Sequence, residues 1–248
     1  MSYLDPDLSG PWAAVLEDRY RNAPAEDLLR AAIEELFPGR IALVSSFGAE
    51  SAVLLHMIAG IDRDLPVLFL DTGKLFGETL RYRDRLIADL GLRAVRTIRP
   101  PEEHIDAADP DGLLFARDAD ACCYLRKVAP LEKALRPYKA WISGRKRFHG
   151  GLRRDAIRID AVDRRIRLSP LADWSRADIL AYLERHGLPR HPLEADGFLS
   201  IGCMPCTART VSDSDIRSGR WSGSAKSECG IHLPLAEARR RAGLPPAP

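Results

Sequence analysis

Two apolar runs, Ile41–Val44 and Val67–Leu70, constrain this chain more than anything else in it. Neither mixes polar with apolar residues, so each reads as a short strand covered on both faces, and each is followed by small or turn residues and then a helical pattern. After the first run, Ser45-Ser46-Phe47-Gly48 leads into Ala49–Ile58, whose Val53, Leu54, Met57 and Ile58 fall on one helical face. The same reading predicts a helix over Glu78–Leu90, a third strand over Ala94–Ile98 and a fourth over Trp141–Ser143, ending at Gly144. Strands alternating with helices define an α/β class. The expected fold is a mostly parallel sheet flanked by helices, with ligands bound beyond the C-terminal ends of the strands. Downstream, Ser175-Arg176-Ala177-Asp178 carries a capping-box-like helix start, and Gly187 with Pro189 marks a helix end. From His191 onward the chain is loop-rich, with Gly197, Gly202, Pro205, Gly219, Gly223 and Gly230, and three cysteines lie there.

The chain has 248 residues, which at roughly 100–200 residues per domain makes one large domain or two small ones. Residues 1–233 are expected to form a single domain and 234–248 a tail. No apolar stretch approaches the roughly 18 residues needed to span a bilayer. Met1–Trp12 shows no basic region followed by an apolar run. A cytoplasmic location without a membrane partner follows as the expectation. Lys and Arg total 37 against 35 Asp and Glu, and this near balance gives no overall bias toward nucleic acid. It hides a local excess, because residues 126–167 hold 14 Lys or Arg against 4 Asp or Glu. Single members such as Arg164 and Arg165, in an expected turn, read as solvated surface, whereas the group reads as a binding surface for an anionic ligand.

Two loops suit such an anion. Ser45-Ser46-Phe47-Gly48-Ala49-Glu50-Ser51 lies between strand and helix, where small residues let backbone N–H groups approach a phosphate and the helix N-terminus adds its dipole. Ser45, Ser46 and Gly48 are the candidate contacts. The segment is not a Walker A loop, since G-x-x-x-x-G-K-[ST] occurs nowhere in the chain. Asp71-Thr72-Gly73 follows the second strand and puts a second polar turn, with Asp71 as candidate, on the same sheet edge.

Five cysteines are too few for a disulfide scaffold, and their odd number fits a reducing compartment where thiols serve metals or chemistry. Cys122-Cys123 together with Cys203-Met204-Pro205-Cys206 supply four thiolates, suited to a tetrahedral zinc site or a [4Fe–4S] cluster. Zinc ribbons use two C-x2-C knuckles about 15–20 residues apart, whereas here one pair is tandem and the other lies some 80 residues later. Adjacent cysteines fit a compact knuckle poorly but can reach two corners of a cubane, so the spacing favours iron–sulfur over zinc or a structural role. Cys229, in Ser227-Glu228-Cys229-Gly230-Ile231-His232, has no second cysteine close in sequence. An inert buried thiol is the usual fate of a lone cysteine. Its Gly- and Ser-rich setting and the nearby cations favour a reactive thiolate instead, with His232 as a candidate assistant.

Taken together, these motifs resemble the assimilatory sulfonucleotide reductases, the adenylyl-sulfate and phosphoadenylyl-sulfate reductase family, from about Ile41 to Leu233. The markers are Ser45-Ser46-Phe47-Gly48-Ala49-Glu50, Leu70-Asp71-Thr72-Gly73, Cys122-Cys123 with Arg126-Lys127, Cys203 to Cys206, Arg217 with Gly219-Arg220-Trp221, and Glu228 to His232. The resemblance implies a fold like the adenine-nucleotide α-hydrolases. It implies reduction of a sulfonucleotide to sulfite and a nucleoside monophosphate, in sulfate assimilation and cysteine biosynthesis, with thioredoxin or glutaredoxin as donor. Family members with both cysteine pairs carry a [4Fe–4S] cluster and prefer adenylyl sulfate, so the resemblance points to adenylyl sulfate, with the 3′-phosphorylated nucleotide as the alternative. It also implies Lys127 between cluster and substrate, Arg217 and Arg220 on the phosphosulfate, and Arg153 among the substrate contacts. One segment departs from the commonest pattern: after Gly144 many members have a Gln-Arg-Arg-Asp-Gln type run, and here Arg145 to Arg153 reads RKRFHGGLR. An ATP pyrophosphatase of the related superfamily is a rival, but Phe47 and Ala49 break its Ser-Gly-Gly-x-Asp-Ser loop. A non-enzymatic iron–sulfur or nucleic-acid-binding module would leave Cys229 without a purpose. A homo-oligomer is left open.

Overall fold

The structure is a computed structural model and describes residues 9–212, 215–224 and 226–245. The ends of the expected domain and tail, residues 1–8 and 246–248, lie outside the described residues, as do 213, 214 and 225. Six strands form one sheet: β1 (Ile41–Ser45), β2 (Val67–Leu70), β3 (Val95–Ile98), β4 (Ala140–Ser143), β5 (Ile159–Val162) and β6 (Arg165–Leu168). Their order is β3-β2-β1-β4-β6-β5. All neighbours run parallel except β5 and β6, which pair antiparallel.

The central strands are apolar throughout because both faces are covered, and their alternate side chains feed two cores. Ile41 and Leu43 of β1, Val67 and Phe69 of β2, and Ala140 and Ile142 of β4 enter the larger core with helices Ser9–Tyr20, Ser51–Ala59, Gly77–Leu90 and Arg176–Arg185. Ala42, Leu68, Leu70 and Trp141 point the other way, onto Leu131 and Leu135 of helix Ala129–Leu135. Each fully buried side chain of this size contributes about 1.5–3 kcal/mol. Helix Arg176–Arg185 starts at the capping box read from the sequence, with Ser175 Oγ accepting from Asp178 N.

The chain order runs outward in one direction from β1 to β3 and in the other from β4, so β1 and β4 flank the switch point where open α/β sheets bind ligands. Expectation and structure part at the far edge. Arg165 is not in a turn but opens β6, and the turn is carried by Asp163 and Arg164, both with positive φ (47° and 64°). Two consecutive left-handed residues match the right-handed twist of a tight hairpin. Among the described residues no helix is long and apolar enough to cross a membrane.

Candidate active site

The loop after β1 is built around Phe47. Its φ of 48° is unfavourable for a residue with a Cβ, yet its ring is wholly buried and meets Phe69 edge-on at 5.4 Å. Phe47 N–H donates to Ser45 Oγ at 3.2 Å, which tightens the turn. The anchored ring leaves Ser46 exposed and aims the loop at the N-terminus of helix Ser51–Ala59. The loop after β4 joins it in lining a cleft of about 1280 Å³, counting its solvent-open mouth.

Most of the residues singled out from sequence line this cleft: Ser45, Ser46, Gly48, Lys127, Arg153, Cys203, Arg217, Arg220, Cys229 and His232. Asp71 does not. Its Oδ1 accepts from Gly73 N at 3.1 Å and its Oδ2 from Arg99 at 2.9 and 3.0 Å, so it closes its own turn while Leu70 and Thr72 face the cleft. Cys122, Cys123 and Cys206 are not among the lining residues.

The two cysteine pairs reach this region by different routes. Asp118 caps helix Ala119–Cys123, accepting from Asp120 N and Ala121 N at 3.0 and 2.8 Å. The chain then widens into π turns over Tyr124–Val128 ahead of Pro130, which has no N–H to give. This stretch presents Lys127 to the cleft, while Arg126 turns inward onto Asp109 and donates to Thr72 O at 2.8 Å. Cys203 is stitched to the same turn: Thr72 Oγ1 lies 3.2 Å from its Sγ, and Met204 N donates to Lys74 O at 2.7 Å. Cys206 O accepts from Trp221 N at 3.1 Å and from Arg220 Nε at 3.3 Å.

All five cysteines are free, three of them buried. Burial pushes the Cys122 thiol up to about 11 and Cys123 up to about 12. Burial acts on Cys203 in the same direction, but the Lys127 ammonium, the Thr72 bond and Arg220 outweigh it and hold that thiol below its ordinary value. Lys127 responds in kind: burial alone would lower it, and the sulfurs of Cys203, Cys123 and Cys229 raise it instead. Cys123, Cys203 and Cys206 thus share one electrostatic neighbourhood with Lys127, and Cys122 joins it through the sulfurs of Cys203 and Cys206. Among the described residues no group of three or more His, Cys, Asp or Glu side chains forms a ready metal site.

Cations crowd the Cys229 side. Arg217, Arg220 and Lys226 all lie over the Trp221 ring, at 5.8, 4.5 and 5.7 Å from its centroid. Buried Glu228, next to the nucleophile candidate, accepts from Arg153 at 2.5 and 3.1 Å and pairs with Arg217 at 3.3 Å. Burial would raise this carboxyl, but Arg153 and Arg217 hold it below the usual range. His232 stacks on Trp141 with ring centroids 5.9 Å apart, its Nδ1 buried without a partner. Burial, then the surrounding arginines, pushes it well below the ordinary histidine value, so it stands neutral.

Three residues of the cleft escaped the sequence reading as candidates. Glu50 Oε2 accepts from Lys146 Nζ at 2.8 Å and lies 3.0 Å from His149 Nε2. Burial would raise Glu50, but Lys146 and His149 hold it far below the usual carboxylate range. The departure from the family pattern over 145–153 is the sequence signal for Lys146 and His149, and Glu50 stands in the marker loop Ser45–Glu50.

A family model for the phosphoadenosine phosphosulfate reductase domain matches residues 40–209. The chain is 51% identical over 221 residues to an adenosine 5′-phosphosulfate reductase of Mesorhizobium japonicum, covering 89% of this chain and 87% of that one. It is 50% identical over 227 residues to one of Chelativorans sp., covering 91% and 93%. In three dimensions it resembles the phosphoadenylyl-sulfate reductase of Candida auris, crystallised with phosphate, at a TM-score of 0.68 and 23% identity, covering 79% of this chain and 96% of that one.

Proposed function

The chain belongs to the phosphoadenosine phosphosulfate reductase domain family, and from that premise we propose that it reduces adenylyl sulfate to sulfite and AMP through a Cys229 S-sulfonate. What supports this above all is one cleft lined by Cys229, Arg153, Arg217, Arg220 and Lys127 together with the loops after β1 and β4. Four cations suit a ligand bearing phosphate and sulfate together.

Adenylyl sulfate lies with its nucleoside against the Ser45–Gly48 loop and its phosphosulfate among those cations. The Cys229 thiolate attacks the sulfur, an S–S bond forms, and the S–O bond to phosphate breaks so that AMP leaves with the electron pair. A thiolate of a dithiol donor, thioredoxin or glutaredoxin, then attacks Cys229 Sγ. Sulfite departs with the S–S pair, a mixed disulfide remains, and the donor's second thiol releases Cys229. The donor is oxidised by two electrons and the sulfur is reduced by two. With Cys122, Cys123, Cys203 and Cys206 otherwise engaged, the chain offers no resolving thiol of its own.

Those four free thiols, three of them in the electrostatic reach of Lys127, have the donor chemistry that fits a [4Fe–4S] cluster. When bound, such a cluster supplies fixed negative charge and a brace between the two cysteine segments. Lys127, which lines the cleft and interacts with the sulfurs of Cys203 and Cys123, would lower the repulsion between such a cluster and an anionic substrate. The cytoplasm, where dithiol donors are kept reduced, is the compartment this chemistry requires.

Sulfite release from adenylyl sulfate and from its 3′-phosphorylated form, with reduced thioredoxin, tests the reading. Faster release from adenylyl sulfate, abolished in Cys229→Ser, is expected; release from neither nucleotide overturns it. Iron and acid-labile sulfide analysis of anaerobically prepared protein should find about four of each per chain, and zinc without sulfide would remove the cluster.

A further inference from the structure

One polar chain links residues of the cleft, and its Lys146, Glu50, His149 and Glu228 are used by none of the chemistry above. It runs from Lys146 through Glu50, His149, Arg153 and Glu228 to Arg217. Its members come from four places: the end of the β1 loop, the segment after β4, the stretch between Cys206 and Trp221 that bears Arg217, and the residue before Cys229. Each junction pairs a donor with an acceptor. Only His149 is able to act as either, and its neighbours decide which.

Arg153 Nη1 lies 3.0 Å from His149 Nδ1, and a guanidinium has no acceptor. Nδ1 must therefore carry the lone pair. The ring proton sits on Nε2, which points at the Glu50 carboxylate 3.0 Å away. Both neighbours select the same neutral tautomer. Burial agrees, pushing His149 down to about 4 against the upward pull of Glu50 and with Lys146 and Arg153 adding to the fall. A second proton would set Nδ1–H against a cation.

We propose that His149 is a positioning residue, joining the β1 loop to the Cys229 segment by accepting from Arg153 at Nδ1 and donating to Glu50 from Nε2. Arg153 is held on one side by His149 and on the other by both oxygens of Glu228. Three of its N–H groups are thus committed, and the two left over are available to a ligand in the cleft it lines. Glu228, held in turn, sets Arg217, which also donates to Ser227 O at 2.8 Å beside Cys229. The order of the first loop is transmitted to the nucleophile through one imidazole. This inference rests on the function proposed above for the rate it affects, and on geometry alone for the tautomer.

Three variants separate positioning from mere packing. His149→Gln retains both roles, since an amide oxygen accepts and an amide N–H donates. His149→Leu removes both at similar volume, and His149→Asn keeps both groups on a stem too short to reach. The full chain is mixed with adenylyl sulfate and the rate of S-sulfonate formation is followed, with melting temperature as the check on folding. The Gln variant is expected within about threefold of the parent, and the Leu and Asn variants at least tenfold slower. Combining His149→Leu with Glu228→Gln should cost less than the product of the two single losses, because both release the same Arg153. A Leu variant as fast as the parent, a Gln variant as slow as Leu, or losses that multiply would overturn the proposal. Imidazole nitrogen NMR of the substrate-free chain, with His149→Gln assigning the signal, reads the tautomer whether or not the reaction occurs. A protonated Nε2 with a bare Nδ1 is required, and the opposite tautomer refutes the inference on its own.

Discussion

Gly202→Ala should disable Arg220 without touching it chemically. A Cβ at Gly202 would lie 2.3 Å from Arg220 Nη2, 2.5 Å from its Cζ and 2.6 Å from Nη1. The obstacle is the far end of a flexible side chain rather than backbone, so the guanidinium gives way and the Ile201–Cys203 stretch stays. Arg220 then leaves its seat over Trp221, where the guanidinium lies 4.5 Å from the ring centroid, and its 3.3 Å bond to Cys206 O. If Arg220 holds the phosphosulfate, one charge-assisted hydrogen bond is lost, about 1.5–3 kcal/mol, or roughly tenfold to a hundredfold in substrate affinity. Titration calorimetry with adenylyl sulfate, in a Cys229→Ser background that cannot form the S-sulfonate, measures it, with thermal melting expected to move little. In an Arg220→Ala background the same glycine change should add nothing. Unaltered affinity in Gly202→Ala, or a further loss in the Arg220→Ala background, would refute the reasoning.

Gly219→Ala meets backbone instead, the Ala208 carbonyl oxygen at 2.2 Å, and nothing there yields. It should cost about 1–3 kcal/mol and lower the melting temperature by roughly 2–12 °C in a chain of this size. Asp109→Asn leaves Arg126 buried without its charge partner, a change worth roughly 3–5 kcal/mol in urea unfolding. The native carboxyl is held below its ordinary value: burial would raise it, but the bonds from Arg126 and Leu114 N prevail. Its contribution is therefore complete above about pH 4 and lost as pH falls through the folded value, and the Asn variant should show a flatter acid limb. His149, depressed to about 4, behaves as a base: between about pH 6.5 and 4 the unfolded chain binds a proton that the folded chain refuses, so stability falls with pH. His149→Gln should remove up to about 1.4 kcal/mol per pH unit of that slope near pH 5.5, and an unchanged slope would count against a neutral buried imidazole.

Local pattern was legible and distant pairing was not. The strand read over Val67–Leu70 matches β2, those at Ile41, Ala94 and Trp141 shift by one residue at an end, and the helix expected from Ala49 begins at Ser51. Buried apolar runs and a capping box declare themselves within a few residues. Hairpin β5–β6 did not, because Arg164 and Arg165 read as solvated charge in a turn and Arg167 as one of a basic group. Arg165 and Arg167 are in fact largely covered, the first paired with Glu132 and the second with Asp160. The side chains of the cleft wall were legible by residue type, since Cys, Lys and Arg in motifs carry chemistry on their face. At Asp71 a Gly-containing turn at a strand end looks alike in sequence whether its carboxylate faces out or, as here, accepts from its own backbone. The Glu50–His149 bond spans 99 residues and has neither period nor motif. Only the folded chain brings it together.

The mass of the intact chain after mixing with adenylyl sulfate, in the absence of any thiol donor, addresses most directly whether Cys229 is the nucleophile of this cleft. Gain of one SO3 group, mapped to the peptide bearing Cys229 and removed by reduced thioredoxin, is the predicted result. An adduct on another cysteine, an adduct that persists in Cys229→Ser, or none with either nucleotide would contradict it.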